Sequence, residues 1–157
     1  MKKRIISLTL ILALAVCALC SCFGSVAERG DVTVVIANRD GTYTEYKAYL
    51  ENIENKSEGA AGVIEHLAAR EKNPLTVDMV NSTYGKYVNA IGSLTPDTAS
   101  GEYVSIYTSV ESDFGTYAGV GELEYNGTLL KSSGVGLTDM NVPEGTIILF
   151  CIEVYIG

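Results

Sequence analysis

From residue 31 onward the chain reads in short alternating runs. Val32, Val34 and Ile36 alternate with Thr33, Val35 and Ala37. Thr42 to Leu50 alternates again, with Tyr46, Ala48 and Leu50 on one side and Tyr43, Glu45, Lys47 and Tyr49 on the other. Between the two runs, Asn38-Arg39-Asp40-Gly41 is a turn in which Gly41 supplies a positive φ. A period of two with one polar face predicts a half-buried antiparallel hairpin. The period then changes. Ala60, Ile64, Leu67 and Ala68 fall on one helical face, and Val63 widens the stripe. Ser57 as N-cap, Glu58 in the first turn and Pro74 beyond the end predict a helix from about Ala60 to Lys72.

The rest of the chain returns to strands. Leu75 to Val80 and Tyr84 to Ile91 read as extended, and Ser93 to Ser100 reads as a loop. Tyr103 to Val110 alternates, with Val104, Ile106 and Val110 facing one way and Tyr103, Ser105, Tyr107 and Ser109 the other. Glu111 to Gly121 is irregular. Asn126-Gly127 is a strong turn signal between Glu122–Tyr125 and Thr128–Leu130. The last strand, Thr146 to Tyr155, is apolar on both faces and so belongs in the middle of its sheet. One hairpin, one helix and then several strands make an α+β domain with a mostly antiparallel sheet.

The first 22 residues follow a different grammar. Lys2, Lys3 and Arg4 precede an apolar run from Ile5 to Leu19, the length of a signal-peptide core. Leu19, Ser21 and Cys22 resemble a lipoprotein cleavage site, with Cys22 as the acylated residue. The alternative is ordinary cleavage after a small residue near Ser25 or Ala27. The expected organisation is a signal peptide over residues 1–21, a tether over 22–30 and a domain over 31–157. A lipidated Cys22 places the domain outside the cytoplasm, attached to the membrane but not spanning it. Three of the four cysteines lie in this leader, which leaves Cys151, inside an apolar strand, as a small buried hydrophobe.

Charge narrows the partners. After Cys22 the chain carries 8 basic and 19 acidic residues, a balance of −11. Such a domain repels phosphate backbones, which argues against nucleic acid. The single histidine, His66, lies on the helix face opposite Ile64, and no second His and no Cys pair accompanies it, which argues against a zinc site. No nucleophile elbow or P-loop is present. Acid pairs such as Glu111 with Asp113 and Glu122 with Glu124 read as solvated surface. The expectation is a non-enzyme that requires no metal or cofactor.

An ordered set of segments carries a resemblance. It runs from Ala61-Gly62-Val63-Ile64-Glu65-His66-Leu67 through Tyr84-Gly85-Lys86-Tyr87-Val88-Asn89-Ala90-Ile91, Gly101-Glu102-Tyr103-Val104 and Tyr125-Asn126-Gly127. It ends in Ser133-Gly134-Val135-Gly136, Pro143-Glu144-Gly145-Thr146-Ile147 and Glu153-Val154-Tyr155. Over Asp31 to Tyr155 the chain resembles the transcobalamin-like C-terminal domain family, bacterial domains related to the β-domain of transcobalamin and intrinsic factor. The resemblance implies a β-grasp-like fold and a corrinoid as candidate ligand. It matches the strand at Tyr103-Val104 and the loop Gly134-Val135-Gly136 to the region that covers the ligand.

The candidate ligand surface is therefore Tyr103, Tyr107, Gly134, Val135 and Gly136. The two rings offer a flat apolar platform with polar tips, and the glycines offer close backbone approach with free N–H donors. The competing reading makes this a sheet face covered by the helix, with tyrosine hydroxyls at its rim. Two functions follow: an extracytoplasmic binding module for a corrinoid or other planar small ligand, or a structural, adhesive domain that contacts a surface protein.

Overall fold

The structure, a computed structural model, describes residues 29–155 apart from 84, 118 and 119. The leader, the lipidation site Cys22 and nearly all of the tether lie outside the described residues. Gly30, the last tether position, is described, and it packs against the backbone of Ala48.

Among the described residues the chain folds into eight strands and one α-helix. The elements are β1 (Val32–Ala37), β2 (Tyr43–Ala48), α1 (Gly59–Ala68), β3 (Val77–Ser82), β4 (Gly85–Ile91), β5 (Glu102–Thr108), β6 (Glu122–Tyr125), β7 (Thr128–Ser132) and β8 (Ile147–Val154). Six strands form one sheet in the order β2-β1-β8-β5-β7-β6, and β3 pairs with β4 in a separate two-stranded sheet. Every pairing is antiparallel except β1 with β8. The last strand is central, as its two apolar faces require. Among the described residues no helix is long and apolar enough to cross a membrane.

The inner face of the sheet packs on α1. Val32, Val34, Ile36, Ile148 and Phe150 meet Ala60, Val63, Ile64 and Leu67, and Val88, Ile91 and Leu94 from the β3–β4 side complete this core. Each such aliphatic contributes about 1.5–3 kcal/mol on burial. That outweighs the roughly 1 kcal/mol that each helix glycine costs, so packing holds α1 in place.

Both glycines also have a positive use. Gly59 has φ 54°, and a Cβ there would meet the carbonyls of Met140, Thr138 and Leu137. A Cβ on Gly62 would lie 2.2 Å from the carbonyl oxygen of Asn55. The start of α1 is thus packed directly against neighbouring backbone, and Leu137 O accepts from the Ala61 N–H at 3.2 Å. That contact replaces the expected Ser57 cap: Ser57 sits in a preceding 3-10 turn, Lys56–Glu58, and no side chain caps the helix. The helix also stops at Ala68, short of Lys72. The chain reverses through Asn73, at φ 51°, and the Leu75 N–H returns to Leu67 O at 3.1 Å, which carries the Leu75 side chain into the core.

The outer face of the sheet is covered by the sheet itself. Only Tyr107 and Thr108 of β5 pair with β7, and beyond them the β6–β7 hairpin curls across the sheet. Tyr125 of β6 thereby reaches β2, at the opposite end of the strand order, and packs edge-on against Tyr43 with ring centroids 5.0 Å apart. A second, smaller core lies inside the curl: Val35, Tyr107, Tyr125, Leu130 and Leu149.

Candidate functional site

Tyr103 and Tyr107 are two residues of β5 four apart on its outer face, and Glu153 of β8 lies opposite Tyr103 in register. Both phenols converge on that carboxylate. Tyr103 Oη donates to Glu153 Oε2 at 2.8 Å, and Tyr107 Oη donates to Glu153 Oε1. The hydrogen bond to Glu153, with burial added, pushes the Tyr103 phenol up to about 12. For Tyr107 burial is the larger cause, and the direction is again upward. Both rings are therefore neutral donors at physiological pH. Each oxygen of Glu153 thus accepts from one phenol, which fixes the carboxylate between the two rings.

The two tyrosines are not equivalent. Tyr107 is 5% exposed and belongs to the second core. The expectation of an exposed ring at Tyr107 is thus corrected, and the cover is the curled β6–β7 hairpin, not the helix. A Cβ on Gly121 would strike its hydroxyl, which shows how closely the backbone lies over it. Tyr103 instead opens onto a hollow of about 200 Å³ that it shares with Ser105, Tyr117, Ser133, Val135 and Glu153. Of the predicted residues, Tyr103 and Val135 meet here. Tyr107 supports the hollow from beneath through Glu153.

Gly134 departs from expectation in a different way. Its N–H donates to Asp113 O at 2.8 Å, and a Cβ there would meet Gly115 Cα at 2.9 Å. This glycine permits two chain segments to touch and offers no free donor to a ligand. Gly136 O accepts from the Asp139 N–H at 3.0 Å, within its own loop. Val135, 37% exposed, is the loop residue that presents a side chain.

Two features escaped the pattern reading. Asp113, expected on a solvated surface, is buried. It accepts from the backbone N–H of Asn141 at 2.7 Å, from Asn141 Nδ2 at 2.6 Å and from Ser112 Oγ at 3.0 Å. It therefore ties the 111–115 segment to the loops around residues 134 and 141. Nothing in an Asp flanked by polar residues signals this, because the partner lies 28 positions away. Tyr117 carries no strand pattern, and its place over the hollow follows from the curl of the sheet.

The remaining chemistry-bearing residues lie apart. His66 is half-buried in a separate cleft beside Glu54, Asn55 and Glu65. Cys151 is partly buried on the outer face, and burial pushes its thiol up to about 12, so it is protonated and unreactive at neutral pH. A larger cleft, of about 510 Å³, lies where Leu50, Ile53 and Val63 face Met140 and Val142. Among the described residues, no group of three or more His, Cys, Asp or Glu side chains is arranged to hold a metal ion.

No protein-family model matches the chain, and no curated protein sequence matches it. A solved structure with a similar fold is that of a "putative metal binding protein" from Ruminococcus gnavus. It superposes with a TM-score of 0.51 at 13% sequence identity, over 82% of this chain and 100% of the other. At that identity the likeness is one of fold alone. It supports the α+β architecture with a six-stranded, mostly antiparallel curled sheet.

Proposed function

We propose that this chain is a non-catalytic binding module of the cell envelope, held to the membrane through lipidated Cys22 and built on a β-grasp-like fold of the transcobalamin C-terminal kind. The strand topology supports the fold: a starting hairpin, a helix crossing its face, and a final strand inserted parallel beside β1. The basic, apolar and Cys-terminated leader supports the anchoring.

The observation that carries the binding role is the hollow bordered by Tyr103, Tyr117, Val135 and Glu153. It combines two aromatic rings, an exposed aliphatic and fixed hydrogen-bonding groups, the composition of a small-molecule subsite. At about 200 Å³ it takes the edge or a substituent of a corrinoid or other planar molecule, not the whole ring system. The domain would then cover one side of such a ligand.

A thermal-shift titration of the full chain with cyanocobalamin and with haem tests this. A saturable rise in melting temperature that Tyr103→Ala and Tyr117→Ala abolish supports the reading. No shift with either ligand, together with capture of a defined surface protein, favours the adhesive alternative. Fatty-acid analogue labelling of cells tests the anchor: the wild type is labelled and Cys22→Ser is not.

A further inference from the structure

The opposite face of β5 borders another cleft, of about 330 Å³, between the β3–β4 hairpin and the loop through Pro96. Glu102 lines this cleft, whereas its neighbour Tyr103 lines the hollow described above, so the two openings lie on opposite sides of the sheet. The ring of Tyr87 on β4 stands at the cleft, 48% exposed.

Next to it the ladder is irregular. Asp78 pairs with Ala90 but Met79 pairs with Val88, so Asn89 is an extra residue in a β-bulge. Val88 and Ile91 both point into the core, and the bulge turns Asn89 and Ala90 together to the outside, on the side of Tyr87. Bulges of this kind re-aim side chains beside binding sites. Here the re-aimed amide donates from Nδ2 to Asp78 Oδ2 at 3.3 Å, which leaves one carboxylate oxygen and the amide oxygen as acceptors beside the ring.

The far wall is rigid. Arg39 donates to both oxygens of Glu102 and, at 3.1 Å, to Thr95 O, and Glu102 accepts from the Asp97 N–H at 2.7 Å. Arg39 is thus engaged, and the cleft itself offers carboxylates and no free cation. An anionic ligand is excluded. A neutral polyol with one apolar C–H face fits: the face stacks on the tyrosine, and adjacent hydroxyls share the Asp78–Asn89 pair.

We propose that Tyr87, Asp78 and Asn89 form a subsite for a neutral sugar unit of a glycan, independent of the Tyr103 hollow. The test is saturation-transfer NMR on the full chain in detergent, with methyl α-galactoside, methyl α-mannoside and methyl β-N-acetylglucosaminide as probes. At least one sugar receives saturation on its C–H face, and Tyr87→Ala weakens its binding about tenfold. Asp78→Ala has a similar effect, while Tyr103→Ala leaves binding unchanged. Should Tyr87→Ala fail to fold by circular dichroism, Asp78→Ala decides. Absence of transfer to all three sugars overturns the proposal, as does transfer that persists in both variants. Loss on Tyr103→Ala alone assigns sugar binding to the other hollow and overturns it as well.

Discussion

Tyr125 Oη donates to Glu45 Oε1 at 2.5 Å, and this hydrogen bond joins the two outermost strands of a six-stranded sheet. The sheet is therefore curled until its ends touch, and the curl encloses a second core. Removing only the hydroxyl tests the join. Tyr125→Phe keeps the ring against Tyr43 and should lower stability by about 1 kcal/mol, the worth of one partly exposed charged hydrogen bond. Urea denaturation of the two proteins measures it.

Tyr107 and Tyr103 differ in kind although both hydrogen-bond Glu153. Tyr107→Ala opens the second core and should cost on the order of 3–5 kcal/mol, as an aromatic truncation does. Tyr103→Ala, at the edge of the hollow, should cost roughly 1 kcal/mol. Equal losses in denaturant titrations would mean that Tyr103 is core as well.

The acid limb of stability should depend on Glu102. Its bonds to Arg39, and to the Asp97 N–H, hold its carboxyl down at about 2 against an ordinary 4.5. A carboxylate whose folded pKa is depressed stabilises the fold above its unfolded pKa. That contribution declines as pH falls from about 4.5 towards 2. Arg39 is half exposed although Glu102 is largely covered, so high salt should shrink the effect in part. Melting temperatures of wild type and Glu102→Gln should converge across this interval and differ above it.

At Gly62, two opposing effects have a decidable sign. Alanine gains about 1 kcal/mol in helix propensity. Its Cβ, however, would sit 2.2 Å from Asn55 O, a backbone atom that cannot swing away. Overpacking of this kind costs roughly 1–3 kcal/mol. Gly62→Ala should therefore be net destabilising, and a midpoint shifted to higher denaturant would contradict the packing argument.

Alternation along the chain was a sound guide wherever the cause is local. The first hairpin, the Asn126-Gly127 turn with φ of 49° and 77°, and the central position of β8 all follow from patterns of a few residues. Long-range causes left no such trace. The tyrosine side of β5 has the period of a solvent-facing surface, yet β6 and β7 fold over half of it, so Tyr103 stays open and Tyr107 does not. α1 ends at Ala68 because Leu75 has to return to the core, a demand invisible in the helical stripe. The pattern around Gly134 suggests room for a ligand, yet that room is taken by Gly115.

The parallel pairing of Val34 with Ile148 and of Ile36 with Phe150 has a temporal meaning. These partners are separated by nearly the whole folded chain, so the ladder that joins the two halves of the large sheet cannot form during synthesis of the first hundred or so residues. Loops of that span are slow to close. A nascent chain that has not yet released its last strand can pair β1 with β2, β5 with β7 and β7 with β6, but it has no ladder to join the two groups. The two halves of the large sheet lock together only when β8 arrives between them.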